Sequence, residues 1–266
     1  LKASIIIPTK DKLPRLSLVL KTLEPQINNA IEVIVIFDGC SQETVRGFNE
    51  IKLKYKPIPI IHTQNLGRAR ARNSGIRHAK GDIVIFLDDD RLPTPDFVLQ
   101  HIEKHVSGHY AVIGERLNIN YSDEELRGLC RNGVTYPDFL EMSKRAFKEP
   151  NDRLKKIGRR ILGQLLETVT FTTGNSSVRR KDLLNIGLFD ENFFGWGMED
   201  VDLGYRLAKS GVKIIRDYSI INYHLVHPVS KLTQKEEYTK NFNYFINKIE
   251  NDRKAIYMAK LLNTFM

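Results

Sequence analysis

The sequence predicts an α/β fold with a mostly parallel central sheet and helices on its faces. Three observations carry this prediction. Four short runs rich in Ile and Val are each closed by turn residues, helix-spaced apolar patterns lie between them, and acidic residues stand at the ends of the runs. Alternation of strand and helix implies right-handed crossovers and a parallel sheet, with ligands bound beyond the carboxyl ends of the strands.

The elements follow in order. Residues 3–7 form a strand stopped by Pro8, and Leu13, Leu16, Val19, Leu20 and Leu23 then repeat at helical spacing. Residues 32–37 form a second strand ending at Asp38-Gly39, and 58–61 a third, between Pro57 and Asn65-Leu66-Gly67. A helix carrying Ala69, Ala71, Ile76 and Ala79 ends at Gly81. The fourth strand is Ile83 to Leu87, and a helix with Phe97, Val98, Ile102 and Val106 begins after Pro93-Thr94-Pro95-Asp96. Such uninterrupted apolar runs read as strands buried on both faces. Beyond residue 115 the rhythm breaks: 116–168 is polar, basic and partly helical, with no clear strand. Extended pieces return at 171–178 and 212–222, and 233–262 has helical character. The expectation is one domain over 1–228, divided into halves 1–115 and 116–228, with a helical C-terminal extension over 229–266.

Composition narrows the class. The chain has 266 residues, 41% hydrophobic and 27% charged, which is ordinary for a soluble globular protein. No apolar run approaches the roughly 20 residues that span a bilayer, and no secretory signal is visible. Two cysteines, Cys40 and Cys130, make no disulfide framework and suit a reducing compartment, so a cytoplasmic location is expected. The net charge of +9 favours anionic partners. The basic stretch from Arg153 to Arg160 and the helical tail leave room for peripheral contact with a membrane surface.

Two acidic clusters carry the chemistry. Asp88-Asp89-Asp90 directly follows the fourth strand. Carboxylates this close repel one another unless a cation or a proton is shared. Strand alternation would put Asp88 and Asp90 on one side and Asp89 on the other. A pair of that kind suits a hard divalent ion, manganese or magnesium, held together with phosphate oxygens. His224 and His227 follow an apolar stretch, and either could complete the coordination. The plain alternative for the aspartates is a helix cap. The second cluster, Glu199, Asp200 and Asp202, opens a helical pattern, where acidic residues are favoured by the helix dipole anyway. Asp202 and Arg206 have the spacing of an ordinary ion pair. What points beyond structure is Gly195-Trp196-Gly197 just before: the chain's single tryptophan between two glycines, an exposed flat face on which a sugar ring could stack.

These segments resemble, in order, those of the inverting nucleotide-sugar glycosyltransferases of glycosyltransferase family two, which have the GT-A fold. Ser4–Thr9 resembles the opening strand and nucleotide loop, Val33–Ser41 the second strand, and Asn65–Gly75 the segment against the donor. Phe86–Asp90 resembles the metal motif, and Thr173–Ser177 and Gly187–Glu191 the acceptor-side segments. Phe194–Leu203 resembles the signature of galactosyl-, N-acetylgalactosaminyl- and chondroitin-polymerising enzymes. The resemblance implies a UDP-sugar donor and an acceptor nucleophile that is a glycan, lipid-linked sugar, metabolite or peptide. It implies nucleotide contacts at Pro8, Thr9, Asp38, Arg68, Arg72, Asp88 and Asp89, and a metal at Asp90 with His224 or His227. It also implies sugar or acceptor contacts at Trp196, Gly197, Glu199, Gly174 and Asn175, with Asp200 as the base. The region 116–168 matches nothing readable and is where acceptor choice is expected.

Other classes fit less well. A nucleic-acid binder would need a basic groove interleaved with aromatics, and these carboxylates would repel phosphate. A dehydrogenase would need Gly-x-Gly-x-x-Gly after the first strand. A glycosidase uses paired carboxylates without a metal seat. A metal-dependent nucleotidyltransferase shares strand-end aspartates and is the nearest alternative; it would release pyrophosphate.

Overall fold

The computed structural model describes residues 1–148, 163–228 and 231–263. β1 (Ala3–Thr9) lies between β2 (Ile31–Asp38) and β4 (Ile83–Leu87) and is parallel to both. β3 (Ile58–His62) extends the parallel set beyond β2. On the other side of β4, β7 (Asn175–Arg179) runs antiparallel both to β4 and to β6 (Tyr110–Ile119). β8 (Lys213–Leu225) is parallel to β6, and the three-residue β5 (Arg91–Pro93) closes that edge antiparallel to β8. The sheet is therefore mixed, with strand order β3-β2-β1-β4-β7-β6-β8-β5.

Period-two alternation sorts the core. Ile5 and Ile7 pack with Leu16 and Leu20 of the helix Leu13–Leu23 on one face. Ile6, Ile34 and Ile36 pack with Ala71 and Ile76 of the helix Arg68–His78 on the other. The expected strands and helices of the first hundred residues are present, with differences there, β5 among them, and one beyond. A further helix, Gln42–Asn49, is capped by Ser41, whose hydroxyl accepts from the Thr44 N–H. β3 is not buried on both faces; it is an edge strand with Ile58 and Ile61 exposed. The break in rhythm after residue 115 hides a strand, since β6 continues to Ile119, pairing Leu117 with Tyr223 and Asn118 with His224. A register shift falls between Ile113 and Glu115. There the Asn175 amide donates to the carbonyls of Glu115 and Ile220. A Cβ on Gly114 would stand 2.2 Å from Asn175 Oδ1, so only glycine lets that side chain through.

The tail is helical as expected, in two pieces, Lys231–Lys248 and Arg253–Asn263. It forms one apolar cluster with Phe193 and Met198 through Phe245, Ile249, Ala255 and Ala259. The basic stretch 153–160 lies outside the described residues. Among the described residues no helix is long and apolar enough to cross a membrane.

Candidate active site

The carboxyl ends of β1, β2, β4 and β8 meet at one edge of the sheet. β4 ends at Leu87, and the chain turns through Asp88–Asp90 instead of continuing as a strand. Strand alternation therefore does not govern the three aspartates, and they divide differently from the expectation. Asp89 and Asp90 face the same lysine, while Asp88 turns the other way, towards two arginines.

Asp90 is fixed from β8: its carbonyl accepts the Leu225 N–H at 2.9 Å. His227 Nε2 lies 3.1 Å from Asp90 Oδ2, and His224 Nε2 lies 3.9 Å from Asp90 Oδ1. The ligand atoms of these three residues all fall within 4.8 Å of one another. Each ring is held from behind, His224 Nδ1 by Asn118 Oδ1 at 2.9 Å and His227 Nδ1 by the Pro228 carbonyl at 3.0 Å. Both acceptors place a proton on Nδ1, which turns Nε2 towards Asp90 in the manner of a metal ligand supported by its neighbours. The structure thus brings together both histidines with Asp90, and the three residues fit a divalent ion.

Lys12 Nζ stands at the same place, 2.8 Å from Asp90 Oδ2, 3.4 Å from Asp89 Oδ1 and 3.2 Å from His227 Nε2. Burial disfavours the Lys12 ammonium, but Asp89 and Asp90 outweigh it and raise its pKa. For Asp90, burial is overcome by the hydrogen bond with His227 and by Lys12 and His224, which hold its carboxyl below the usual range. Burial raises Asp89, although Lys12 and the Thr9 hydroxyl, which donates to it at 2.7 Å, pull the other way. Burial drives the His224 imidazole down to about 4, and the Asp90 hydrogen bond raises His227. Sequence reasoning missed Lys12. Its one signal was position, a cation four residues beyond the first strand's Pro8.

Asp88 belongs to a second cluster built round Arg72. This buried guanidinium reaches Asp88 Oδ1 at 3.3 Å, Glu199 Oε1 at 3.1 Å and Asp200 Oδ1 at 3.4 Å. Burial opposes the Arg72 charge, and the three carboxylates more than restore it. Arg91 Nε adds a contact to Asp88 Oδ2 at 3.0 Å. Against burial, Arg91 and Arg72 lower the Asp88 carboxyl. Glu199 is enclosed, and burial together with Asp200 raises its carboxyl. Asp200 is the more open of the two, with 20% of its side chain accessible. Thr173 orients it with two hydrogen bonds, Oγ1 to Oδ1 at 2.8 Å and N–H to Oδ2 at 2.9 Å. Asp202 is fully buried against Arg206 and Lys248, so it is structural.

The remaining predicted residues take varied places. The Asp38 carboxylate holds the loop ahead of the helix Arg68–His78: it accepts from the Leu66 and Gly67 N–H groups at 2.9 Å and pairs with His62 at 2.8 Å. Asp38 therefore stands at the end of β2 and also fixes the loop expected to lie against the donor. The Asn175 side chain is buried, donating to carbonyls of β6 and β8 and lying against His101. Gly174 has φ 72°, and a Cβ there would meet Asp88 Oδ2 at 2.4 Å. Arg68 is exposed at the first turn of its helix, and its charge lowers Asp88 and Glu199. Pro8 is half-buried beside Thr9. Trp196 is half-buried, not exposed as expected, with its ring 5.7 Å from that of Tyr238. The exposed aromatic of the segment is Phe194, 55% accessible and packed beside Gly67. Gly197, at φ 93°, backs onto Tyr238.

Comparison with known proteins gives the family and the fold. The model of "Glycosyl transferase family 2" matches residues 4–186, and that of "N-terminal domain of galactosyltransferase" matches 162–228. The uncharacterized glycosyltransferase YfnE of Bacillus subtilis (strain 168) is 31% identical over 95% of this chain and 72% of its own length. Validoxylamine A glucosyltransferase of Streptomyces hygroscopicus subsp. jinggangensis (strain 5008) is 29% identical over 79% of this chain, which spans only 52% of that protein. Among solved structures, mannosyltransferase PcManGT from Pyrobaculum calidifontis, in complex with GDP-Man and Mn2+, superposes with TM-score 0.64 at 18% identity, covering 92% of this chain and 64% of its own. GalNAc-T7 with UDP, GalNAc and Mn2+ superposes with TM-score 0.65 at 16% identity, covering 93% and 48%. At such identities what is shared is the fold.

Proposed function

The chain belongs to glycosyl transferase family 2 and is a glycosyltransferase with the GT-A fold, and from that premise we propose that it moves a hexose or N-acetylhexosamine from a UDP-sugar to an acceptor nucleophile, with inversion and with a divalent ion. The observation that carries this reading is the convergence of the two acidic clusters. Asp90 with His224 and His227 makes a cation seat, and the adjacent Asp88 shares Arg72 with Asp200.

In this reading Asp90, His224 and His227 hold the ion. One carboxylate with two imidazoles suits manganese better than magnesium, which favours oxygen donors. The bound ion supplies positive charge against the departing diphosphate. Arg68, exposed at the helix start, faces the same space and binds donor phosphate oxygens. Arg72 shares its charge among Asp88, Glu199 and Asp200, and Arg91 adds a second cation at Asp88, so the acidic clusters can lie side by side. Asp200, held by Thr173, takes the proton from the acceptor nucleophile as it attacks the face of the anomeric carbon opposite the leaving group. Glu199, enclosed against Arg72, orients the site from behind. Trp196 and Phe194 form apolar walls.

The GalNAc-T7 complex, which holds UDP and GalNAc, supports a uridine donor, and the GDP-Man complex makes GDP-mannose the necessary control. The test is a screen of UDP- and GDP-sugars with manganese, reading nucleoside diphosphate release. UDP release from a UDP-hexose or its N-acetyl form, abolished by chelator, is the expected result. Release of pyrophosphate would establish a nucleotidyltransferase instead. Full turnover in excess chelator would remove the ion.

A further inference from the structure

The segment from Phe193 to Met198 delivers Trp196, and then Glu199 and Asp200, along a backbone path that few residues adopt. Gly195, Gly197 and Met198 have φ values of 83°, 93° and 74°. At Met198, which carries a side chain, this conformation costs on the order of 1–3 kcal/mol and persists only where the surroundings impose it. The helix Lys231–Lys248 imposes it. Asn241 is only 2% exposed, and its amide nitrogen lies 2.9 Å from the Gly197 carbonyl, 3.1 Å from that of Phe194 and 3.3 Å from that of Trp196. One buried amide group, with two N–H bonds, is thus shared among three carbonyls. The Tyr238 ring faces Trp196 and leaves no room for a side chain at Gly197, where a Cβ would stand 2.9 Å from Tyr238 Cδ2. Met198 and Phe193 are buried beside Phe245 and Ile249. All of these tail residues lie beyond residue 228, where the second family match ends.

We propose that Asn241 is a positioning residue for glycosyl transfer: its buried amide gathers the carbonyls of Phe194, Trp196 and Gly197, and so sets where Trp196 and Asp200 stand towards the acceptor. The proposal rests on the reading of Asp200 as the base. It makes the C-terminal helices part of the catalytic apparatus, not an appended docking module. Without the amide, the three carbonyls lose their shared donor and the strained path relaxes. Misplacement of a base by about 1 Å can cost about a hundredfold in rate.

Trp196 is the chain's single tryptophan, so its emission reports on this loop alone. In full-length Asn241→Leu, measured well below the melting temperature, Trp196 emission is expected to shift to the red with easier acrylamide quenching. Turnover is expected to fall about a hundredfold, with UDP affinity within about twofold of the parent. Asn241→Gln, which keeps the amide, recovers part of the turnover and of the emission. Asn241→Ser, smaller and retaining one donor, supplies the same comparison if the leucine variant does not fold. Tyr244→Phe, on the same helix, loses only the hydroxyl contact to Asp190 and leaves both readouts unchanged. Parental emission and turnover in Asn241→Leu, or equal losses of turnover and UDP affinity, would overturn the proposal. Its failure is distinguishable from that of the functional reading. A red shift in a chain that turns over no nucleotide sugar would sink the transferase assignment and leave the hold of Asn241 on the loop intact.

Discussion

Arg72 Nη1 lies 3.1 Å from Glu199 Oε1 across 127 residues of sequence. The same buried guanidinium touches Asp88 and Asp200, so one cation ties the turn after β4 to the start of the helix Glu199–Lys209. Removing it would leave three carboxylates facing one another with little solvent. Arg72→Met is therefore expected to lose about 3–5 kcal/mol of stability, a fall in melting temperature of roughly 6–20 °C. Arg72→Lys keeps the charge without the planar fork and falls between. Calorimetry decides, and a variant that melts with the parent would show that the cluster carries no net strain.

Lys12 makes a separate prediction. Its ammonium stands against Asp90 and His227, so an incoming divalent ion meets a fixed positive charge. Lys12→Met should bind manganese about tenfold more tightly in the absence of nucleotide; the full Coulomb term is larger, but a side chain 31% accessible is partly screened. Asp90→Ala should abolish this binding. Titration followed by the electron spin resonance of free manganese reads both. Weaker binding in Lys12→Met would mean that the lysine supports the seat and does not compete for it.

Two buried histidines away from the seat give a pH dependence. His101 bonds to Ser177 and Asn175, and His105 bonds to Ser177. Burial pushes their imidazoles down to about 3 and about 4, from 6.5. The unfolded chain therefore binds protons that the folded chain refuses as pH falls through 6.5, and stability is lost down to the folded values. Between pH 7 and pH 5 the loss is roughly 2 kcal/mol for each histidine. Urea unfolding across this range should show it, with the imidazole proton resonances of His101 and His105 not titrating above pH 5. A flat stability profile would contradict the account.

The parallel core was legible because β1, β2 and β4 are continuous Ile/Val runs with hard stops, and such runs have few other uses. β6 was hidden because Glu115, Arg116 and Asn118 interrupt its apolar residues beyond Ile113. The acidic clusters were visible as clusters, yet their division was not: the turn after Leu87, which sends Asp88 to Arg72 and Asp90 to the histidines, depends on a hydrogen bond from Leu225. Lys12 and Asn241 escaped notice, and Thr173 was read only as part of an acceptor-side segment, because each acts through a contact between distant elements, which single-sequence periodicity does not record. The bonds of Asp38 to the Leu66 and Gly67 N–H groups and of Asn175 to β6 and β8 were invisible for the same reason.

The last prediction separates the two adjacent carboxylates. Glu199 and Asp200 both touch Arg72, but the Glu199 side chain is 5% accessible and Asp200 is 20% accessible. Only Asp200 is open enough for an acceptor hydroxyl to approach, and Thr173 aims it. Asp200→Asn keeps an oxygen for Thr173 but cannot take a proton, so turnover should fall by about 10²–10⁴ with UDP affinity retained. Glu199→Gln keeps an acceptor for Arg72, and its native carboxyl is already pushed towards the neutral form by burial and by Asp200. Its loss should be the smaller of the two. Single-turnover rates beside equilibrium UDP binding make the comparison. If Glu199→Gln is the dead variant and Asp200→Asn turns over, the proton acceptor is Glu199, and Asp200 only steadies Thr173.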